Sequence, residues 1–356
     1  MNQRIAKLVA ALEEQQIDAA IISEKNNLRY FSGFTAEEAL LLIHHSARYL
    51  ITDFRYIEQA QIECPDFEIV DAPGTKTGPF LRETCLSLDV KKLWFDDNTI
   101  SFRTYSSYKE ELKPIELIPD NDIPTGLRTI KTAEEVNYIK KAAELADKGF
   151  DYILTRICPG ISEREIALEL EFFLRRNGSE GLAFPIIAAS GNNGSLPHAQ
   201  PTDKKLETGE FLTLDFGCVV GGYCSDMTRT IALGEPEQEL REIYQITLDA
   251  QQKALEIIGP GLTGKEVDKQ ARDHIYSKGY GEHFGHGLGH GVGLNVHEAP
   301  RLSMRGDKIL KPGMVVSVEP GIYLPGKGGV RIEDLVVITE TGYENLVYSE
   351  KELIIL

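Results

Sequence analysis

The sequence predicts an α+β protein in two parts: a smaller α/β domain over residues 1–125, and a larger domain over residues 126–356 assembled from helices and β-hairpins. Three observations lead to this. The chain of 356 residues is long enough for two ordinary domains and a sizeable core. Through its first third the apolar pattern alternates between helix and strand, as in an α/β unit. Beyond residue 125, three capping boxes announce helices, and strand-like runs fold back on themselves across glycine-rich turns.

In order, Ile5, Leu8, Val9 and Leu12 lie on one helical stripe, and residues 17–22 read as a buried strand. The runs 39–43 and 48–52 pair around His44-His45-Ser46, where both histidines read as turn residues rather than ligands. Lys92–Phe95 and Ile115–Ile118 continue the alternation. Up to residue 125 no His, Asp and Glu stand at ligand spacing, so this domain is expected to shape access to a site or to make a dimer contact. Pro124–Lys131 marks the boundary. Thr132 and Glu135 then open a long helix expected to run to about Cys158 and to stop at Pro159-Gly160; Ser162 with Glu165 and Thr263 with Glu266 open two more. Residues 190–199 form a glycine-rich loop without the Gly-Lys-Ser/Thr ending of a phosphate cradle, and its His198, taken alone, reads equally as a surface histidine.

A net charge of −17 argues against a nucleic-acid partner, which calls for clustered Lys and Arg. No stretch approaches the ~20 apolar residues of a membrane span, and the charged, helical N-terminus does not read as a signal peptide. The five cysteines form no CxxC pair, so neither a disulfide framework nor a cysteine-zinc site is expected, and a reducing cytoplasm is the expected location.

Residues 209–231 are the centre of the second domain. Two runs rich in β-branched and aromatic residues flank Val219-Val220-Gly221-Gly222, which reads as a hairpin with glycine at its turn. With Val220-Gly221 as the loop, Asp215 falls opposite Asp226, their Cβ atoms roughly 4.5 to 5.5 Å apart on one face. Two carboxylates so placed repel, and one takes up a proton unless a cation lies between them. A divalent metal resolves the conflict. A register slipped by one residue, with one Asp left in solvent, is the other reading open on this hairpin alone.

Four of the eight histidines, His283, His286, His290 and His297, follow within fifteen residues, among glycines that prevent a regular helix. The intervening Leu288, Val292, Leu294 and Val296 argue for burial over a solvated loop. Residues 311–321 read as a strand closing on Glu319, where a buried carboxylate is costly without a cation. The run from Gly329 to Ile338 reads as its partner across a Pro- and Gly-rich turn, and alternation sets Arg331 and Glu333 on one face. Four carboxylates and one imidazole make a hard donor set that favours Mn²⁺, with Zn²⁺ or Co²⁺ as alternatives, and that suits two ions better than one catalytic ion with open positions.

At these residues the sequence resembles the metallopeptidases of the pita-bread fold, the group of methionine aminopeptidase, aminopeptidase P and prolidase. The likeness rests on Asp215-Phe-Gly with Ser225-Asp226-Met-Thr-Arg, on His286-Gly-Leu-Gly-His290-Gly-Val-Gly with Val296-His297-Glu, on Ser317-Val-Glu319-Pro-Gly-Ile-Tyr, and on Gly329-Val-Arg331-Ile-Glu333-Asp. Each motif is modest alone, and the four in this order are highly specific. The first domain resembles the creatinase-type domain found in aminopeptidase P and prolidase, which points to the proline-directed branch.

Carried over by position, the resemblance implies that Asp215, Asp226, His290, Glu319 and Glu333 bind two divalent ions, with Asp226 and Glu333 bridging. It implies substrate or intermediate contacts from His198, His286 and His297, and an orienting contact from Arg331 to a carboxylate such as Asp226. The implied activity is hydrolysis of the Xaa-Pro bond in a small peptide with proline second. Glu319 would shuttle a proton from the attacking water to the leaving nitrogen, while His297 and His198 hydrogen-bond the developing oxyanion. A homodimer is the family expectation. Arg301, four residues past His297, would pair with the free carboxylate of an Xaa-Pro dipeptide, which favours a dipeptidase (prolidase) over an aminopeptidase P acting on longer peptides; a solvated loop arginine is the plain alternative. Two further classes remain. The unaltered ligand positions speak against a non-catalytic peptide-binding scaffold, and the lack of a lysine cluster speaks against a two-metal phosphate-ester hydrolase.

Overall fold

The computed structural model describes residues 3–120 and 122–356, with Met1, Asn2 and Asn121 outside them. Two compact units divide between Arg128 and Thr129. In the first, β1 (Ala19–Ile22), β2 (Leu40–His44), β3 (Arg48–Thr52), β4 (Glu68–Asp71), β5 (Lys92–Asp96) and β6 (Glu116–Asp120) form one sheet in the order β4-β3-β2-β1-β5-β6. Its helices are α1 (Gln3–Glu14), α2 (Lys25–Ser32), α3 (Ile57–Glu63), α4 (Thr77–Ser87), α5 (Phe102–Glu111) and α6 (Asp122–Thr129). β3–β4 and β5–β6 pair parallel and are joined through α3 and α5, because a parallel pair needs a crossover; β2–β3 is an antiparallel hairpin. His44 ends that hairpin's first strand with Nδ1 2.9 Å from Ser46 Oγ, as expected of a turn residue. The stretch that reads as a boundary in the sequence is helical through Thr129, where α6 ends.

In the second unit all three capping boxes are complete, Thr132, Ser162 and Thr263 each exchanging hydrogen bonds with the glutamate three residues on. They open α7 (Ala133–Leu154), α8 (Glu163–Arg176) and, after α9 (Gln238–Ile257), α10 (Gly264–Ser277). α7 stops at Leu154 rather than near Cys158, because Thr155 and Arg156 donate back three residues to Tyr152 and Ile153 and tighten the last turn.

Of the next strands, β7 (Gly181–Leu182), β10 (Cys218–Val220) and β11 (Tyr223–Cys224) form one sheet, and β8 (Ile187–Ser190), β9 (Phe211–Phe216) and β12 (Met227–Ala232) another. Val220 pairs with Tyr223 across Gly221 and Gly222, whose φ angles of +61° and +83° are the two positive values of a type I′ turn. The turn is therefore Gly221-Gly222 and not Val220-Gly221, and Asp215 pairs with Thr228 rather than Asp226. The displacement is two residues, an even number, so both Asp side chains stay on one face.

β13 (Gly289–Gly291), β14 (Glu298–Leu302), β15 (Val315–Val318), β18 (Asp334–Ile338) and β19 (Tyr343–Asn345) make a five-stranded sheet, and β16 (Gly321–Leu324) pairs with β17 (Gly328–Arg331). The single hairpin read from the sequence is thus two ladders in one register, Val318 opposite Asp334 and Gly321 opposite Arg331, with Glu319 facing Glu333 in the gap. The core of this unit packs Ile243, Leu248, Val267 and Ile275 of α9 and α10 together with Val316, Ile322, Val330 and Val336 of the strands. Among the described residues no helix is long and apolar enough to cross a membrane.

A buried cation cross-links this unit. Arg229 on β12, 1 % exposed, donates to Asp334 Oδ1 at 2.9 Å, to the carbonyls of Ser349 (2.8 Å), Glu350 (2.9 Å) and Thr228 (2.9 Å), and to that of Glu333. Arg229→Met is expected to lower unfolding stability by about 3 kcal/mol or more, because it takes a buried charged partner from Asp334 and a donor from each of four carbonyls. Urea unfolding of the two proteins checks this, and a loss under about 1 kcal/mol would mean that Lys351, 2.7 Å from Asp334, suffices as its partner.

Candidate active site

The two interrupted β ladders bring four carboxylates to one place. Carboxylate oxygens of Asp215, Asp226 and Glu333 lie within 4.8 Å of one another. His290 joins them, with Nε2 3.1 Å from Glu319 Oε1 and 3.6 Å from Asp226 Oδ2. Its Nδ1 is 3.2 Å from the Gly291 carbonyl, which requires the proton on Nδ1 and leaves Nε2 as the face turned to the carboxylates. Gly289 and Gly291 flank it because a side chain would collide: their Cβ atoms would stand 2.0 Å from the Ser317 carbonyl oxygen and 2.2 Å from that of Ala299.

Three of the carboxylates are oriented from behind by a second side chain. Thr228 donates to Glu333 Oε2 at 2.7 Å, and Ser317 to Glu319 Oε1 at 3.0 Å. Arg331 donates to Asp215 Oδ2 at 2.5 Å, so the carboxylate it orients is Asp215 and not Asp226. Arg331 also donates to the Tyr323 hydroxyl at 2.7 Å, and that hydroxyl is 2.9 Å from Nε2 of His286, whose Nδ1 meets the Gly287 carbonyl at 2.8 Å. The His286 backbone is held in turn by Arg272, which donates to the carbonyls of Phe284 (3.0 Å) and His286 (2.7 Å). Sequence reading passed over Thr228, Ser317, Tyr323 and Arg272. Thr228, Ser317 and Tyr323 lie inside the four motifs, but single hydroxyls in apolar strands carry no spacing signal of their own.

Three expected residues stand further out. The His297 ring lies 4.2 Å from that of His290, centroid to centroid, although the residue as a whole is exposed. His198 and Arg301 are exposed, Arg301 on β14 with its backbone paired to His290.

The electrostatics follow from burial and like charge. Burial first, then the Asp215 charge, pushes the Asp226 carboxyl well above its ordinary value, and burial followed by Asp226 does the same to Glu333. Asp215 is raised by burial despite Arg331. Glu319 is the exception: burial works to raise it, but the hydrogen bond and charge of His290 overcome that and hold it at about 2. Reciprocally, burial would depress His290, and Glu319 and Asp226 drive it up to about 9. Enclosure of its ring and the charge of His290 keep His297 below the usual imidazole value.

This donor set fits a divalent metal. Asp215 Oδ1 is buried with no hydrogen-bond partner, and mutually repelling carboxylates beside one neutralisable imidazole are what a dication relieves. With divalent ions chelated, Asp226→Asn is expected to raise the urea midpoint at about pH 8 and to flatten the fall in stability between about pH 5 and pH 8. The sign follows from the raised carboxyls: their contribution is complete below the unfolded-state pKa and is lost as pH climbs through the folded one, and His290 adds to the loss near 9. Equal midpoints at the higher pH would remove carboxylate repulsion as the cause.

Known proteins resemble the chain over its full length. The model of metallopeptidase family M24 matches residues 137–340, and that of the creatinase/prolidase N-terminal domain matches residues 4–130. The chain is 39 % identical to an Xaa-Pro dipeptidase of Pyrococcus furiosus, over 99 % of this chain and 100 % of that one. An Xaa-Pro dipeptidase structure from Bacillus anthracis superposes with a TM-score of 0.96 at 46 % identity, covering 99 % of both chains. An X-Pro aminopeptidase structure from Thermotoga maritima gives 0.91 at 38 % identity, covering 99 % of this chain and 100 % of the other. Carboxylate cage, orienting side chains and full-length similarity together make the chain a member of metallopeptidase family M24, a divalent-metal exopeptidase of the pita-bread fold with a creatinase/prolidase-type N-terminal domain.

Proposed function

We propose that the chain hydrolyses Xaa-Pro dipeptides, with residues 126–356 carrying the chemistry and residues 1–125 shaping access or a dimer contact. The observation behind this is the oxygen-rich cage around the unpartnered Asp215 Oδ1 in a chain similar over its full length to Xaa-Pro dipeptidases. Asp215, Asp226, His290, Glu319 and Glu333 would hold two divalent ions, Asp226 and Glu333 between them. Such ions supply a Lewis acid for the scissile carbonyl and lower the pKa of water. The hard carboxylate set favours Mn²⁺ over Zn²⁺ or Co²⁺.

The chain's own groups do the rest. Glu319 accepts the proton of the attacking water and returns it to the proline nitrogen, which carries no hydrogen in the substrate and must gain one to leave. His297 and His198 donate to the oxygen that becomes negative, each worth a few kcal/mol in such a role. His286, held by Tyr323, and the Arg331–Asp215 pair fix the surrounding geometry. A homodimer in the cytoplasm is the setting we propose; five cysteines held as thiols rather than disulfides suit a reducing compartment.

Aminopeptidase P activity on longer peptides is the second reading, favoured by similarity to the Thermotoga maritima X-Pro aminopeptidase. A metal-by-substrate panel with proline-second dipeptides and tripeptides separates the two. Hydrolysis confined to dipeptides, abolished by chelation and restored by Mn²⁺, is expected. Faster tripeptide cleavage would reverse the assignment, and a protein that retains no Mn²⁺, Zn²⁺ or Co²⁺ and gains no activity on their addition would turn out to be a scaffold. Arg301→Ala is expected to cost roughly tenfold or more in kcat/KM on Xaa-Pro while sparing Xaa-Pro-Yaa, as loss of a charge-assisted pair should. Equal loss on both substrates, or none, removes Arg301 as the gauge of length.

A further inference from the structure

α8 opens with two glutamates that have separate tasks. Glu165 closes the capping box on Ser162, which already satisfies the helix start. Glu163, fully buried, turns instead to the segment 190–202. Its Oε1 accepts from the Ser190 N–H at 2.6 Å and hydroxyl at 2.9 Å. Its Oε2 accepts from Asn193 Nδ2 at 2.9 Å and from the Thr202 N–H at 3.0 Å and hydroxyl at 2.7 Å. One carboxylate therefore ties down the beginning, an early turn and the end of the same loop. The adjoining backbone reinforces the exit, Glu163 N–H meeting the Lys204 carbonyl at 3.2 Å and Arg164 N–H that of Thr202 at 3.0 Å.

A carboxylate so deep is tolerated only because its oxygens are saturated with donors, and such charge-assisted bonds are short and directional. Between the tied ends lies His198. Its side chain is exposed, so its position depends on the backbone of the loop that carries it. After burial and the His290 charge, His198 is among the groups that hold His297 below the usual imidazole value, and the His297 ring stands edge-on to that of His290.

We propose that Glu163 is a positioning residue for this site: its buried carboxylate clamps loop 190–202 and thereby holds the His198 imidazole where the substrate carbonyl arrives. This rests on the peptidase reading above and adds to it a group on a different element, remote from the metal ligands in sequence.

Glu163→Gln replaces one acceptor oxygen with an NH₂ group that must face donors of Ser190 or Thr202. In hydrogen exchange the amides of 191–202 should quicken while those of α7, α9 and α10 keep their protection. With an Xaa-Pro dipeptide, kcat/KM should fall roughly ten- to a hundredfold, as for other orienting groups behind a site, with the loss mainly in kcat. In a His198→Ala chain the same substitution should add no further loss, since its effect passes through that imidazole. Thr202→Val, which removes one hydroxyl, should give the same pattern more weakly and serves if Glu163→Gln does not fold. Losses that multiply in the double variant, or unchanged exchange in 191–202, overturn the proposal. A wild-type protein that cleaves no Xaa-Pro substrate with any divalent ion overturns the peptidase reading and this one with it.

Discussion

Four carboxylates share one enclosed site, faced by the Arg331 guanidinium and the His290 imidazole. Burial denies them water and proximity sets them against one another, so without a bound dication the site can only take up protons. Much of the surrounding architecture serves to hold these groups together despite that cost. The donors stand on or beside strands whose registers are fixed by ladders on both sides, so no single side chain can swing away to relieve the repulsion.

Four of the five donors are each held by a neighbour with one geometric task. Thr228 fixes Glu333, Ser317 fixes Glu319, Arg331 fixes Asp215, and the Gly291 carbonyl fixes the tautomer of His290. The Arg331–Tyr323–His286 chain extends the order from the cage to the second histidine. Glu163 shows the same logic in a loop rather than a strand, its carboxylate tying Ser190 and Thr202 on either side of His198. The pattern suits a hydrolase that must admit a substrate at one side while the other side stays rigid.

Much of this was legible in the chain, and the misses share a cause. The three capping boxes were read correctly because a helix start is decided by residues three apart. The Asp hairpin turns one residue later than its sequence suggests, which moves the partner of Asp215 by two, because Val220-Gly221 and Gly221-Gly222 are both acceptable turns locally; only the pairing of Val220 with Tyr223 selects between them. Arg331 was paired with Asp226 on the strength of resemblance, and the packing of β17 beside β9 gives it to Asp215. Glu163 read as part of a helix opening and turns out to face a loop some thirty residues away.

The sequence alone determined the inventory: which donors exist, that aspartates and glutamates sit in hairpins, and that the histidines run among glycines. These follow from local steric preference and from the expense of burying charge, both written into adjacent residues. Tertiary structure alone decided the partnerships: which carboxylate Arg331 neutralises, which proton His290 keeps, and which oxygen is left bare. Those depend on distances between strands far apart in the chain, where a shift of an ångström exchanges one hydrogen bond for another.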